Sequence, residues 1–326
     1  METMKKDFSK LGLMFLAGSA VIYAAQMVVS KIVGLINPAL LEDSTWGLVF
    51  AVLPLYLIGM PILIMLVKKI PGTAPEQHEM KVWHLIVAFV MCYAIMYCSN
   101  LVGVGLVGIV SLIKGAPVNN LILNIATSAN MGVTFFYMVI CAPIMEEYIF
   151  RKLIVDRTLR YGQGVAVVVS GLMFGLFHGN LSQFVYAATL GMFFAFIYVK
   201  TGKLKYSIIL HMIINFMGSI LGVLILKAID IEAFTEISAS GNPDEIMAFV
   251  MNNIGGWVLY FVYICFILAM VVTGIVLLIV FRKRFKVESG EVSIPKGERF
   301  STIFLNFGML VYSLFWIAMI VVQLVQ

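Results

Sequence analysis

Four side chains stand out because a lipid-facing helix should not contain them. Glu146 and Glu147 follow the apolar run 131–145, His178 closes a second apolar run, and His211 opens a third. An ionisable group within a span costs about 2.5–3.5 kcal/mol on insertion scales, so each needs a reason to be there. The other fifteen of 17 Asp and Glu fall in tails, loops or helix ends. His78 lies in a loop and His84 at the head of a span, where neither implies chemistry. Carboxylates and imidazoles move protons, so the chemistry suggested is general acid–base work on water.

Spacing sharpens this. Glu147 and Arg151 are four residues apart and face one another on a helix, which predicts an ion pair. Glu146 is rotated about 100° away, which leaves it free to act as a base. The plainer reading has both acids merely sitting at a helix end beside Arg151 and Lys152. Phe174 and His178 are again four apart and on one face, as are His211 and Asn215. Singly, a His/Asn pair is more often a helix–helix hydrogen bond than a site. Three such pairs on neighbouring apolar segments call for a common explanation. Gly162 lies 16 residues after Glu146 and 16 before His178, so a hairpin turning there brings the two level. The pair would then sit roughly 24 Å from the turn, against about 9 Å from Lys205 to His211. The three meet only if the turn projects from the membrane.

Two chemistries suit this set. In the first, Glu146, helped by His178, takes a proton from water, and the water attacks a peptide carbonyl while His211 and Asn215 donate to the oxyanion. In the second, the histidines and one glutamate ligate Zn²⁺, which acidifies bound water. No His-Glu-x-x-His helix is present and Asn215 would be a poor fourth ligand, so the metal-free route, with no cofactor, is favoured and zinc is the second choice. A proton-coupled transporter also uses intramembrane Glu and His, and a non-catalytic immunity protein could bind through them. Against transport, the polar groups cluster in one third of the chain and no inverted repeat is visible.

The elements that must position these groups follow from composition. Hydrophobic residues make up 62% of the 326 and charged residues 12%, against roughly 25% charged in a soluble domain. A soluble enzyme, a DNA-binding module and a disordered regulator are excluded for the whole chain. The expectation is an all-α, polytopic transmembrane bundle in contact with lipid. Apolar runs occupy 11–36, 46–67, 83–113, 130–150, 165–178, 184–199, 206–226, 257–281 and 303–324. That is about nine spans, or eight, since the fifth and sixth runs are short and separated only by 179–183. The first run has an apolar core, 11–29, longer than a signal-peptide core, and is expected to stay as an anchor. With the N-terminus in the cytoplasm, all of the 22 basic residues except Lys31, Lys114 and Lys227 fall in inner segments. The net charge of +5 thus reports topology and not a nucleic-acid partner. Cys92, Cys98, Cys141 and Cys265 lie in apolar runs and read as small buried hydrophobes.

The ordered set Glu146-Glu147-x-x-x-Arg151, Phe174-x-x-x-His178 and His211-x-x-x-Asn215 resembles the motifs of the CPBP family, which comprises CAAX prenyl endopeptidases and bacteriocin-processing or self-immunity proteins. The resemblance covers about residues 130–225. It implies a multi-pass intramembrane endopeptidase of glutamate type acting on a membrane-associated peptide or protein tail. Carried over by position, Glu146 and His178 would activate water, His211 and Asn215 would form the oxyanion site, and Glu147 and Arg151 would support the first motif. The chain then divides into an N-terminal region of three spans (1–129) and a catalytic core of four helices (130–226). An acidic outer segment (227–256), expected as a solvated loop with a surface helix, and a C-terminal pair of spans (257–326) complete it.

Overall fold

Lipid offers no hydrogen-bond partners, so a spanning backbone must satisfy itself within each segment, and the helix does this. The computed structural model describes residues 1–118 and 127–325, and these contain helices and no strand. The principal helices are α1 (Glu2–Ile36), α2 (Ser44–Lys68), α3 (Val82–Lys114), α4 (Met131–Tyr161), α5 (Gln163–Phe177) and α6 (Leu181–Thr201). They continue with α7 (Leu204–Ala228), α8 (Ile231–Ala239), α9 (Pro243–Asn252), α10 (Ile254–Val280) and α11 (Phe307–Val325). Among the described residues eight are long and apolar enough to cross a membrane. The fifth apolar run is the exception, because α5 has only 15 residues. The protein is an integral, multi-pass membrane bundle.

Several expectations change. The run 130–150 does not end a helix, since α4 continues to Tyr161. The reading of Glu146 and Glu147 as helix-end acids is therefore overturned, for they sit midway along α4. The acidic segment is not a loop carrying one surface helix: it forms α8 and α9. Of the cysteines only Cys92 is buried, whereas Cys98 and Cys265 are exposed on the bundle's outer surface.

Two apolar cores flank the centre. One joins α1, α2, α4, α5 and α11 through Phe8, Phe15, Leu63, Phe150, Met173 and Tyr312. The other joins α3, α6, α7 and α10 through Met91, Tyr93, Phe194, Leu210 and Ile267. Between them α5 and α6 form a tight antiparallel hairpin. A Cβ on Gly171 would lie 2.3 Å from Met192 Cγ and 2.7 Å from the Ala188 carbonyl oxygen. One on Gly175 would lie 2.7 Å from Ala188 Cβ and 2.8 Å from the Phe184 carbonyl oxygen. Small residues at a four-residue spacing let helix backbones approach closely. Here they bring His178, at the end of α5, in front of α4.

Two extended segments strap the turns at one end of the bundle. Residues 71–81 donate from Thr73 N to the Asp156 carbonyl (2.7 Å) and from His78 N to the Thr201 carbonyl (2.8 Å). Glu79 in this strap accepts from Lys203, Lys205 and the Tyr206 hydroxyl. The second strap, within 285–298, pairs Val292 N with the Arg160 carbonyl (2.9 Å), and Gln163 N with the Glu288 carbonyl (3.0 Å). Between them runs Gly162, at φ 107°, a conformation that glycine adopts without penalty. Lys200 donates to Glu288 at 2.8 Å and holds that carboxyl below its usual range.

Two outcomes follow. Gly175→Val should lower stability by about 1–3 kcal/mol or more through overpacking, whereas Gly108→Ala, which has open space, should be neutral or slightly stabilising. Thermal unfolding in detergent compares them. Donation from Lys203, then Tyr206 and Lys205, lowers the Glu79 carboxyl from 4.5 to about 2. A depressed carboxyl stabilises above its ordinary range, and that contribution is lost as pH falls through about 2. Limited proteolysis of the strap should thus be as slow at pH 5 as at pH 7, and faster at both in Glu79→Gln.

Candidate active site

A carboxylate can stay ionised in a dry interior only if its oxygens are fully engaged. Glu147 meets this condition. Arg151, one turn on, donates Nε to Oε2 (2.9 Å) and Nη2 to Oε1 (3.0 Å), and both side chains are 0% exposed. Arg151 is thus not an inner-loop charge, because it is consumed inside the bundle. Its Nη1 donates to Ser170 Oγ on α5 (3.1 Å), and that hydroxyl donates to the Phe150 carbonyl (2.7 Å). The guanidinium lies over the Phe174 ring at 4.6 Å, a favourable cation–π geometry.

Glu147 also reaches α7, for His211 Nδ1 lies 3.0 Å from Oε1. A carboxylate gripped by an arginine fork only accepts, so Nδ1 carries the hydrogen and Nε2 faces the other way. Nε2 lies 3.8 Å from Oε2 of Glu146. The Phe194 ring stacks on His211 with 5.5 Å between centroids. The two adjacent acids therefore differ. Glu147 is closed, whereas Glu146 is 17% exposed, lines a cavity, and makes no hydrogen bond among the described residues.

The same logic places the remaining groups. His178 Nδ1 lies 2.8 Å from the Phe174 carbonyl, which only accepts, so Nε2 keeps its lone pair free. Phe174 packs edge-on against this imidazole at 4.7 Å. Asn215 donates Nδ2 to the Met138 carbonyl (2.7 Å), which fixes its amide orientation. Met138 lies in a π-helical turn, Phe135–Cys141. In that register its donor would be residue 143, a proline without an N–H, so the carbonyl is left for Asn215. A second π turn, Glu147–Leu153, starts directly after Glu146.

Glu146, His178, His211 and Asn215 all line one cavity of about 550 Å³ where α3, α4, α6 and α7 meet the end of α5. That volume suits a short peptide segment or a similar ligand. Glu147 and Arg151 stand behind the wall. Glu146 and His178 face the same space but are not directly hydrogen-bonded. Among the described residues no three His, Cys, Asp or Glu side chains converge as a set able to hold a metal ion. Sequence reasoning missed Ser170, Phe194 and the group Asn180, Gln183 and Tyr186. Ser170 was findable, since it stands one turn before Phe174 and two before His178. Phe194 carries no such signal within an unbroken apolar run.

Comparison with known proteins agrees with the motif set. A family model described as type II CAAX prenyl endopeptidase, Rce1-like, matches residues 128–217, which contain all six candidate residues. The chain is 27% identical over 188 residues to "Membrane-embedded CAAX protease MroQ" of Staphylococcus aureus (strain USA300), covering 53% of this chain and 73% of that protein. It is 32% identical over 80 residues to "Putative membrane peptidase YdiL" of Bacillus subtilis (strain 168), covering 23% of this chain and 32% of that one. No solved structure matches the chain.

Breaking a buried ion pair from one side costs about 3–5 kcal/mol, because the remaining charge is stranded. Arg151→Ala should accordingly unfold or strongly destabilise the protein. Arg151→Met combined with Glu147→Gln, which removes both charges, should recover much of that loss in a thermal melt. If the double variant is as unstable as Arg151→Ala, the pair does not set the energetics of this site.

Proposed function

We propose that this chain, whose residues 128–217 match a family model described as type II CAAX prenyl endopeptidase, Rce1-like, is an intramembrane endopeptidase of glutamate type in the CPBP family. The observation that carries the reading is the unequal state of two neighbouring acids: Glu147 is saturated by Arg151 and His211, whereas Glu146 opens on the cavity and makes no hydrogen bond among the described residues, with His211 Nε2 at 3.8 Å.

In this reading Glu146 takes a proton from a water molecule, and His178 orients that water through its free Nε2. The water oxygen bonds to the scissile carbonyl carbon, and the carbonyl oxygen becomes an oxyanion. The second N–H of Asn215 and a protonated Nε2 of His211 donate to it. For His211 this requires the imidazolium, since its Nδ1 hydrogen is held by Glu147. The carbon–nitrogen bond then breaks, and the proton held by Glu146 passes to the leaving amine. The substrate is a membrane-associated peptide or protein tail, and the N-terminus is cytoplasmic as the basic residues suggest. No cofactor is invoked.

Cells carrying wild type should contain peptide termini that are absent with Glu146→Gln at matched levels, as read by quantitative mass spectrometry of membrane fractions. His178→Ala should lose the same termini, and purified protein should keep turnover in a zinc chelator. Unchanged termini in Glu146→Gln would remove the catalytic role, and loss of turnover restored by Zn²⁺ would replace the glutamate route with the metal route.

A further inference from the structure

Beyond the six motif residues, the cavity wall carries a hydrogen-bond chain at the start of α6. Its direction can be deduced from fixed backbone groups. Asn180 Oδ1 accepts from Gln183 N at 2.8 Å, and a backbone N–H can only donate. Asn180 Nδ2 donates to the His178 carbonyl at 3.0 Å, and a carbonyl can only accept. The Asn180 amide is thus oriented from both sides. Its Nδ2 also lies 2.6 Å from Gln183 Oε1, so this oxygen is the acceptor and the Gln183 Nε2 end must point onward. Nε2 then donates to the Tyr186 hydroxyl at 3.0 Å.

The phenol oxygen accepts that bond, so its own hydrogen must go elsewhere. Among the described residues no acceptor takes it. Tyr186 and Gln183 both line the cavity that holds Glu146, His178, His211 and Asn215. The relay starts at the backbone carbonyl of His178, the residue whose imidazole lines the same cavity.

We infer that Tyr186 is a further hydrogen-bond donor for the bound peptide, presenting its O–H to the scissile carbonyl oxygen, and that Asn180 and Gln183 are positioning residues that set the direction of that proton. The inference rests on the protease reading. A donor held in place before reaction strengthens as charge develops on the oxygen, so it acts on kcat more than on KM.

The test uses full-length protein in proteoliposomes. Its probe is a synthetic peptide spanning a terminus that appears with wild type and is missing with Glu146→Gln. Tyr186→Phe keeps the ring and should lower kcat about a hundredfold, with KM within about twofold of wild type. Gln183→Glu reverses the relay. Its carboxylate accepts from Asn180 and from the phenol, so the proton turns away from the cavity and kcat should fall comparably although Tyr186 is intact. Melting curves give the folded fraction of each variant. Wild-type kcat in either variant overturns the inference, as does a fall matched by lost folded protein or confined to KM. Turnover of the probe by Glu146→Gln instead overturns the protease reading and takes this inference with it.

Discussion

The pair Glu147–Arg151 is the constraint on which the rest of the centre depends. Two charges with no exposure would be ruinous in an apolar bundle unless every hydrogen-bonding atom were engaged. The engagement recruits one element after another: Ser170 and Phe174 from α5, Phe194 from α6 and His211 from α7. Buried ion pairs are weak evidence for net stability, since a packed apolar substitute often does as well. What this one provides is placement. Because Glu147 is held from both sides, Glu146 beside it and His211 bonded to it are kept close together, with His211 Nε2 3.8 Å from Glu146 Oε2.

The bilayer explains the contrast between centre and periphery. On α10 only 11% of the most apolar stretch is buried, and residues such as Phe261, Val272 and Val280 face outward. For a soluble protein such an exterior would be a liability, but lipid is as apolar as these side chains. With little hydrophobic gain between helices, close backbone approach has to contribute more. This is why glycine recurs where helices cross, at Gly171 and Gly175 against α6 and at Gly12 against Gly308. The short α5 fits the same picture. Packed against the first core and against α6, it need not reach from one face of the membrane to the other, and it can end at His178 within the protein.

What was legible in the sequence was what a local rule could reach. Hydropathy and length located every principal helix that spans, and the four-residue spacing anticipated the Glu147–Arg151 pair and the packing of Phe174 on His178. The turn at Gly162 was visible because glycine is the residue that accepts its backbone angles. Illegible features depended on contacts between distant segments. The continuation of α4 to Tyr161 entered only as a condition of the Gly162 hairpin, because Lys152, Arg157 and Arg160 look like a loop until Asp156, the Leu153 carbonyl and Asp7 are seen to accept from them. The π turns were hidden too, since their cause lies in how Pro143 and Asn215 share the carbonyl of Met138.

A common pattern unites the cavity residues. His178 gives Nδ1 to the Phe174 carbonyl, His211 gives Nδ1 to Glu147, Asn215 gives one N–H to Met138, and Tyr186 receives from Gln183. Each spends one hydrogen-bonding position on the protein and turns the other toward the cavity. A side chain with no internal partner would rotate freely, and one with every position filled could not meet a ligand. Half-satisfied groups are oriented yet still available, which is what preorganisation requires. Among the described residues Glu146 departs from the pattern by making no hydrogen bond, His211 Nε2 standing off at 3.8 Å, and the departure is chemically sensible. A base that must accept a proton and then release it gains nothing from a fixed donor that would hold it in one state, so its position is set by its neighbour on the helix instead.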